Sequence, residues 1–209
     1  SAIDSSVATG NTASVAANRI SYVLDLQGPS MAIDTACSSS MVAFHQACRS
    51  ILSGEITQAL AGGVSLHLHP YGFITFSKAS MLSRRGRCNV FDASGDGYVR
   101  SEGGGIFVLK DYDQAIADGN RILAVVANSA VNPDGQKTGL TVPNPKVQSA
   151  LLQQAYSQAG IDPAEMARRW VGDGAMRVHV VDLDGALKGR PMNLRAVEAI
   201  VKAAGDIPV

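Results

Sequence analysis

The chain has 209 residues, with 18 Lys+Arg against 18 Asp+Glu and a formal net charge of zero. That balance excludes a dedicated nucleic-acid binder and a polybasic membrane anchor, both of which need surplus positive charge. Hydrophobic residues at 46% and charged residues at 17% exclude wholesale disorder, and the length suits one large domain or one and a half average ones.

The longest apolar stretches, such as residues 122–127, fall far short of the roughly 20 residues of a membrane span, so a soluble chain is expected. It opens on Ser1 without Met or a charged-then-apolar leader, which reads as an excised internal piece. Residues 29–37 predict a short buried strand running into a sharp turn. From residue 38 to 53 the apolar positions Met41, Phe44, Cys48, Ile51 and Leu52 recur at three- and four-residue steps and predict a helix stopped by Gly54. Residues 59–66, 105–110 and 122–130 predict buried strands, and residues 146–159 an amphipathic helix closed by Gly160. This alternation points to a layered α/β domain. After Asp162-Pro163 the rhythm becomes helix (164–172), strand (178–183), helix (194–204) and the start of a strand at Ile207, as in a parallel (β/α) barrel. A boundary is therefore expected near residues 162–168.

Three cysteines without a CxxC pair make neither a disulfide framework nor a zinc site, and a reducing cytoplasmic setting is expected. Cys37 and Cys48, if on one helix, would lie about 16 Å apart at 1.5 Å rise per residue, too far to bridge. Cys37 falls where a strand runs into a helix N-terminus, whose unpaired N–H groups and dipole favour a thiolate. Small neighbours (Ala36, Ser38, Ser39, Ser40) allow a substrate carbonyl to approach, and the Cys37 N–H can serve as one oxyanion donor. On spacing alone a small buried hydrophobe, as most free cysteines are, is the commoner reading.

The run Asp34-Thr35-Ala36-Cys37-Ser38-Ser39-Ser40 resembles the active-site signature of β-ketoacyl synthases, in particular the ketosynthase domains of type I polyketide synthases. Further blocks agree in order: Ala16-Ala17-Asn18-Arg19-Ile20-Ser21-Tyr22, Gly28-Pro29-Ser30, Ala61-Gly62-Gly63-Val64, Asp96-Gly97-Tyr98-Val99-Arg100-Ser101-Glu102-Gly103, Ser129-Ala130-Val131-Asn132-Pro133-Asp134-Gly135 and Thr141-Val142-Pro143-Asn144. The resemblance spans residues 1–165. It implies a partial thiolase-like αβα fold with Cys37 as the acyl-accepting nucleophile. It further implies Phe76 as an acyl-pocket aromatic, a position that plain core packing would also explain. No cofactor is implied for the domain itself; phosphopantetheine would come with an acyl carrier protein that delivers acyl and malonyl-type thioesters. The complete family is expected to be homodimeric, without nucleic-acid or membrane partners. The family's two histidine motifs, Glu-Ala-His-Gly-Thr-Gly-Thr and an Asn-Ile-Gly-His type, do not occur in this sequence.

The tail, Val178-His179-Val180-Val181-Asp182-Leu183-Asp184-Gly185-Ala186 with Gly189-Arg190-Pro191 and Asn193-Leu194, resembles the (β/α)8-barrel ProFAR isomerase of histidine biosynthesis. The resemblance implies a barrel fragment over residues 166–209, with His179 at a substrate-site position. The isomerase's catalytic aspartates and phosphate-binding glycine loops have no counterpart here, so a sequence scar is the competing account of the tail. Other features carry less. His67 and His69 alternate along a strand end, Asp92-x-Ser94-x-Asp96-Gly97 imitates a calcium loop but has Gly103 at its twelfth position, and Arg84-Arg85-Gly86-Arg87 is a basic cluster in a loop. The leading expectation is an enzyme piece performing acyl transfer and decarboxylative Claisen condensation. An isomerase fragment and a non-catalytic dimerisation piece are the alternatives; unusual reactivity of Cys37 would favour the enzyme over the dimerisation piece.

Overall fold

The structure, a computed structural model, describes residues 6–90, 92–178, 180 and 194–209. They form two compact units, Ser1–Asn120 and Arg121–Val209. The first runs α1 (Ser6–Asn11), α2 (Ala13–Val23), a 3-10 turn (Ala36–Ser38), α3 (Ser39–Leu52), β1 (Gln58–Ser65), α4 (Tyr71–Lys78), β2 (Gly103–Lys110) and α5 (Tyr112–Ala117). The second carries α6 (Pro145–Ala159), α7 (Pro163–Gly172) and α8 (Leu194–Ala204).

β1 and β2 pair antiparallel, with Gln58 opposite Lys110 and Ser65 opposite Gly103. α3 lies on this hairpin for two reasons that are visible in the residues. Its Phe44 ring meets Phe107 of β2 edge-on, with centroids 5.5 Å apart. At Gly63 of β1 a Cβ would come within 3.0 Å of the Ser40 Cβ, so the missing side chain admits the head of α3. The helix ends as its sequence predicts: Gly54 takes φ 75 and donates its N–H to Ile51 O at 3.0 Å. Between the strands, α4 is tied back by a single parallel bridge from Leu82 to Tyr98, where Gly97 at φ 139 leaves no room for a Cβ against Leu82.

In the second unit α6 and α7 each have a proline in the first turn, where a missing N–H costs nothing. Gly160 closes α6 in the left-handed conformation at φ 64, and the Asp162 carboxylate caps α7 by accepting the Glu165 N–H at 2.9 Å. α7 packs on α8, burying Ala167 and Ala204 to 1% exposure, and the Val178 N–H donates to Pro208 O at 3.0 Å. Three asparagine amides fasten residues 121–144: Asn128 donates to Ala155 O, Asn132 to Val147 O and Asn144 to Asp134 O.

The expected helices at 38–53, 146–159, 164–172 and 194–204 and the strands at 59–66 and 105–110 are found with small shifts at their ends. The two strands, expected to be buried, are largely exposed, with Ala61 the one buried residue in either, because apolar composition does not by itself supply a covering layer. Three other expected strands differ. Residues 29–35 and 122–130 have no ladder partner among the described residues, and Ile207 lies in a bend after α8. An extended segment becomes a strand only when a neighbour accepts and donates its backbone hydrogen bonds, and apolar β-branched composition does not supply that neighbour. Val178 and Val180 are likewise outside any strand, while the rest of that expected strand, His179 and residues 181–183, lies outside the described residues.

Candidate functional site

Cys37 sits exposed in the 3-10 turn that leads into α3. The turn is assembled from short polar side chains that bind its own backbone. The Asp34 carboxylate accepts the Ala36 N–H at 3.0 Å. The Ser39 hydroxyl accepts the Thr35 N–H at 2.9 Å and donates to Ala36 O at 2.6 Å. The Ser38 hydroxyl donates to Thr35 O and lies 2.9 Å from the Thr35 hydroxyl. Ala36 is held at φ 55, a left-handed conformation that alanine seldom adopts. The first hydrogen bond of the turn runs from Ser38 N–H to Thr35 O at 3.4 Å. The Cys37 N–H therefore stands upstream of the helical ladder, among the donors a helix start leaves over. A thiol and a backbone donor thus share one exposed position, the pair an acyl-transfer site requires. The chain reaches this turn through Ser30, whose hydroxyl is hydrogen-bonded at 2.8 Å to Ser21 of α2.

Phe76 lies on α4, half-buried, in a cluster the sequence does not announce. Its ring meets Tyr98 edge-on at 6.1 Å, and the Arg100 guanidinium lies 4.7 Å above it and 5.7 Å from the Phe73 ring. Arg100 donates to the Tyr98 hydroxyl at 3.1 Å and approaches His67 Nδ1 at 3.5 Å, and the His67 ring meets Phe73 edge-on. Arg100 Nε and His67 Nε2 are buried without a hydrogen-bond partner in the structure. Gly72 makes space for the guanidinium, which would lie 3.3 Å from a Cβ there. The only sequence signal for this cluster is the three-residue spacing of Phe73 and Phe76 on one helix; Arg100 and His67 are 33 residues apart and join through the fold alone.

The remaining sequence candidates separate. His179 lies outside the described residues. His69 Nδ1 accepts the Tyr71 N–H at 3.1 Å and so serves the start of α4. Among the described residues no group of three or more His, Cys, Asp or Glu is placed to hold a metal. The acidic loop is internally engaged. The hydroxyl and N–H of Ser94 hold the Asp92 carboxyl below the usual carboxylate range, and the Ser83 hydroxyl and Arg85 guanidinium do the same for Asp96. Arg85 of the basic cluster is thereby tied to Asp96 at 3.2 Å. Among the described residues no helix is long and apolar enough to cross a membrane.

Residues 1–115 match the family model described as β-ketoacyl synthase, N-terminal domain. The chain belongs to the β-ketoacyl synthase family. The ketosynthase match continues in the C-terminal domain model over residues 123–168, and a model described as histidine biosynthesis protein matches residues 146–209. One of the phenolphthiocerol/phthiocerol polyketide synthase proteins of Mycobacterium tuberculosis is 45% identical over 92% of this chain, which spans 10% of that protein. Another protein of the same synthase and organism is 51% identical over 78% of the chain and 8% of its own length. Among solved structures, an oxazolomycin ketosynthase domain of Streptomyces albus JA3453 is similar at 47% identity and a TM-score of 0.72, covering 73% of this chain and 27% of its own. The module 6 ketosynthase of the Bacillus subtilis 168 bacillaene synthase is similar at 37% identity and a TM-score of 0.74, covering 94% of this chain and 33% of its own. This ketosynthase chain therefore spans about a tenth of these curated relatives and a quarter to a third of these solved ones, and its fold is thiolase-like α/β.

Proposed function

We propose that residues 1–165 are the acyl-accepting part of a polyketide-synthase ketosynthase and that Cys37 is its nucleophile. The observation that carries this reading is the exposed Cys37 at the head of α3, inside the stretch that matches the family. Cys37 gives up its proton and the thiolate attacks the carbonyl of an acyl thioester; the new C–S bond forms as the carrier's C–S bond breaks, and the phosphopantetheine thiolate leaves and takes up a proton. In the complete reaction a malonyl-type thioester then loses carbon dioxide, and the resulting carbanion attacks the acyl-Cys37 carbonyl. That step forms a C–C bond, releases the Cys37 thiolate and leaves a β-ketoacyl thioester on the carrier. The partners are thus an acyl carrier protein and its acyl and malonyl-type thioesters, with a second copy of the chain as dimer partner. None of these steps calls for a metal or redox group, and the setting is cytoplasmic. Phe76 is assigned to the wall of the acyl pocket, a role its half-buried ring supports.

A second reading applies to residues 166–209, supported by the match of residues 146–209 to the histidine-biosynthesis model. There the segment is a piece of a (β/α) barrel isomerase with His179 at the substrate. We place the boundary near residues 162–168; the end of the ketosynthase match at residue 168 supports it, while the histidine-biosynthesis match overlaps it from residue 146.

Intact-mass measurement after incubation with an acyl-pantetheine thioester tests the main reading. One acyl adduct is expected, lost in Cys37→Ala and retained in Cys88→Ala. An adduct that persists at full yield in Cys37→Ala rejects Cys37 as the nucleophile.

A further inference from the structure

We propose that Asp34 and Ser39 are positioning residues for Cys37, acting through the left-handed backbone of Ala36; this rests on the assignment of Cys37 as nucleophile. Ala36 is the residue whose ψ sets the direction of the Cys37 N–H, and its φ is 55. Glycine adopts such a conformation freely, and asparagine or aspartate can support it with its own side chain. Alanine has neither means. A left-handed alanine is disfavoured about five- to thirtyfold against its ordinary conformations, so something outside Ala36 holds it.

Two side chains do so, one on each peptide group that flanks it. On the N-terminal side the Asp34 carboxylate accepts the Ala36 N–H at 3.0 Å. On the C-terminal side the Ser39 hydroxyl donates to Ala36 O at 2.6 Å, and the same hydroxyl accepts the Thr35 N–H at 2.9 Å. The peptide planes that define φ and ψ of Ala36 are therefore each pinned. Ser39 is also the first residue of α3, so the pin is anchored to a helix that is itself seated on β1 by Gly63. If Ala36 relaxes, the 36–37 peptide turns over, and the Cys37 N–H and Cα–Cβ bond are redirected with it. Strain held by its surroundings next to a reactive group is the pattern expected of a site prepared for its reaction. The alternative, that these polar residues only start α3, predicts no link between Asp34 and the conformation of Ala36.

The test uses the full chain in two measurements. The Cα and Cβ chemical shifts of Ala36 report whether it is left-handed. Peptide mapping after limiting iodoacetamide gives the Cys37:Cys88 labelling ratio within each molecule, with Cys48 as the indicator of general opening. Asp34→Ala and Ser39→Ala are expected to move the Ala36 shifts out of the left-handed range and to lower the ratio about five- to thirtyfold, with Cys48 labelling unchanged. Asp34→Asn, whose amide oxygen accepts the same N–H, recovers the ratio. So does Ala36→Gly in the Asp34→Ala background, because glycine needs no clamp. Left-handed Ala36 shifts persisting in Asp34→Ala overturn the proposal, as does a double variant as unreactive as Asp34→Ala alone. Since iodoacetamide needs no acyl substrate, failure of acyl loading with these responses intact rejects the nucleophile assignment and leaves the clamp standing.

Discussion

Three thiols in one chain meet three environments, and their reactivities should separate accordingly. Cys37 is exposed in the 3-10 turn at the head of α3. Cys48 is on the same helix but half-buried, and burial pushes its thiol up, a backbone hydrogen bond only partly opposing it. Cys88 is exposed in a loop, where its sulfur accepts the Val99 N–H at 3.4 Å. Since the thiolate is the nucleophile, alkylation near neutral pH is expected to run fastest at Cys37, then Cys88, and slowest at Cys48. Peptide mapping at limiting iodoacetamide checks the order, and Cys48 reacting first would reject it. The sequence made Cys37 readable because a signature of seven residues surrounds it. It did not make the conformation of Ala36 readable, since alanine carries no preference for positive φ and the clamp consists of side chains two and three residues away. Nor did it reveal what surrounds Phe76: Tyr98 and Arg100 follow at distances in the chain that no helical or strand period connects.

Elements were legible where they are held by local interactions. α3, α6 and α7 have their periodic apolar positions and their proline, aspartate or glycine ends within the element, so sequence and structure agree closely. α5 has the same kind of mark, Asp111 accepting the Gln114 N–H at 3.1 Å, but its six residues are too few for a period to show. Strands depend on a neighbour, and for residues 29–35 and 122–130 the described residues supply none. Where a ladder does form, glycine explains how closely it is built. A Cβ at Gly62 would meet Gly105 O and the Ile106 Cα of the opposite strand at 2.1 and 2.9 Å, whereas a Cβ at Gly103 would meet nothing within 4 Å. Gly62→Ala is therefore expected to destabilise the β1–β2 pair by about 1–3 kcal/mol, as overpacking against rigid backbone does. Gly103→Ala is expected to leave it within about 0.5 kcal/mol. Hydrogen exchange of the β1 and β2 amides measures both, and equal protection in the two variants would show that the strands have room to shift.

At the scale of the whole molecule, the buried hydrophobic side chains among the described residues are small: Ala61, Ala115, Ala167, Ala204 and Val178. Large apolar residues of the sheet, Phe107 and Val108 among them, stay more than half exposed at 62% and 72%. A two-stranded sheet with such faces is marginal in water unless something covers it. The same scale decides which half of the chemistry this chain can perform. Loading an acyl group needs a thiolate, an oxyanion donor and a thioester, and under the proposed assignment the Cys37 sulfur and N–H would serve as the first two. Condensation asks for more, because negative charge grows on the malonyl thioester oxygen as carbon dioxide leaves, and a donor must already be aimed at it. The ketosynthase resemblance assigns that task to two histidine motifs that this sequence does not contain. Among the described residues its histidines are employed elsewhere or far along the chain: His67 against Phe73 and Arg100, His69 at the start of α4, and His45 on α3 eight residues after Cys37, about 12 Å along the helix axis. Each missing donor of this kind typically removes about two to three orders of magnitude in rate. The chain by itself is therefore expected to form the acyl-Cys37 adduct but to release β-ketoacyl product at least about ten-thousandfold more slowly than a complete ketosynthase. Intact-mass detection of the adduct, paired with a product assay using malonyl-carrier protein, checks both halves in one sample. Product at a rate comparable to a complete ketosynthase would mean that residues other than the two histidine motifs stabilise the decarboxylation.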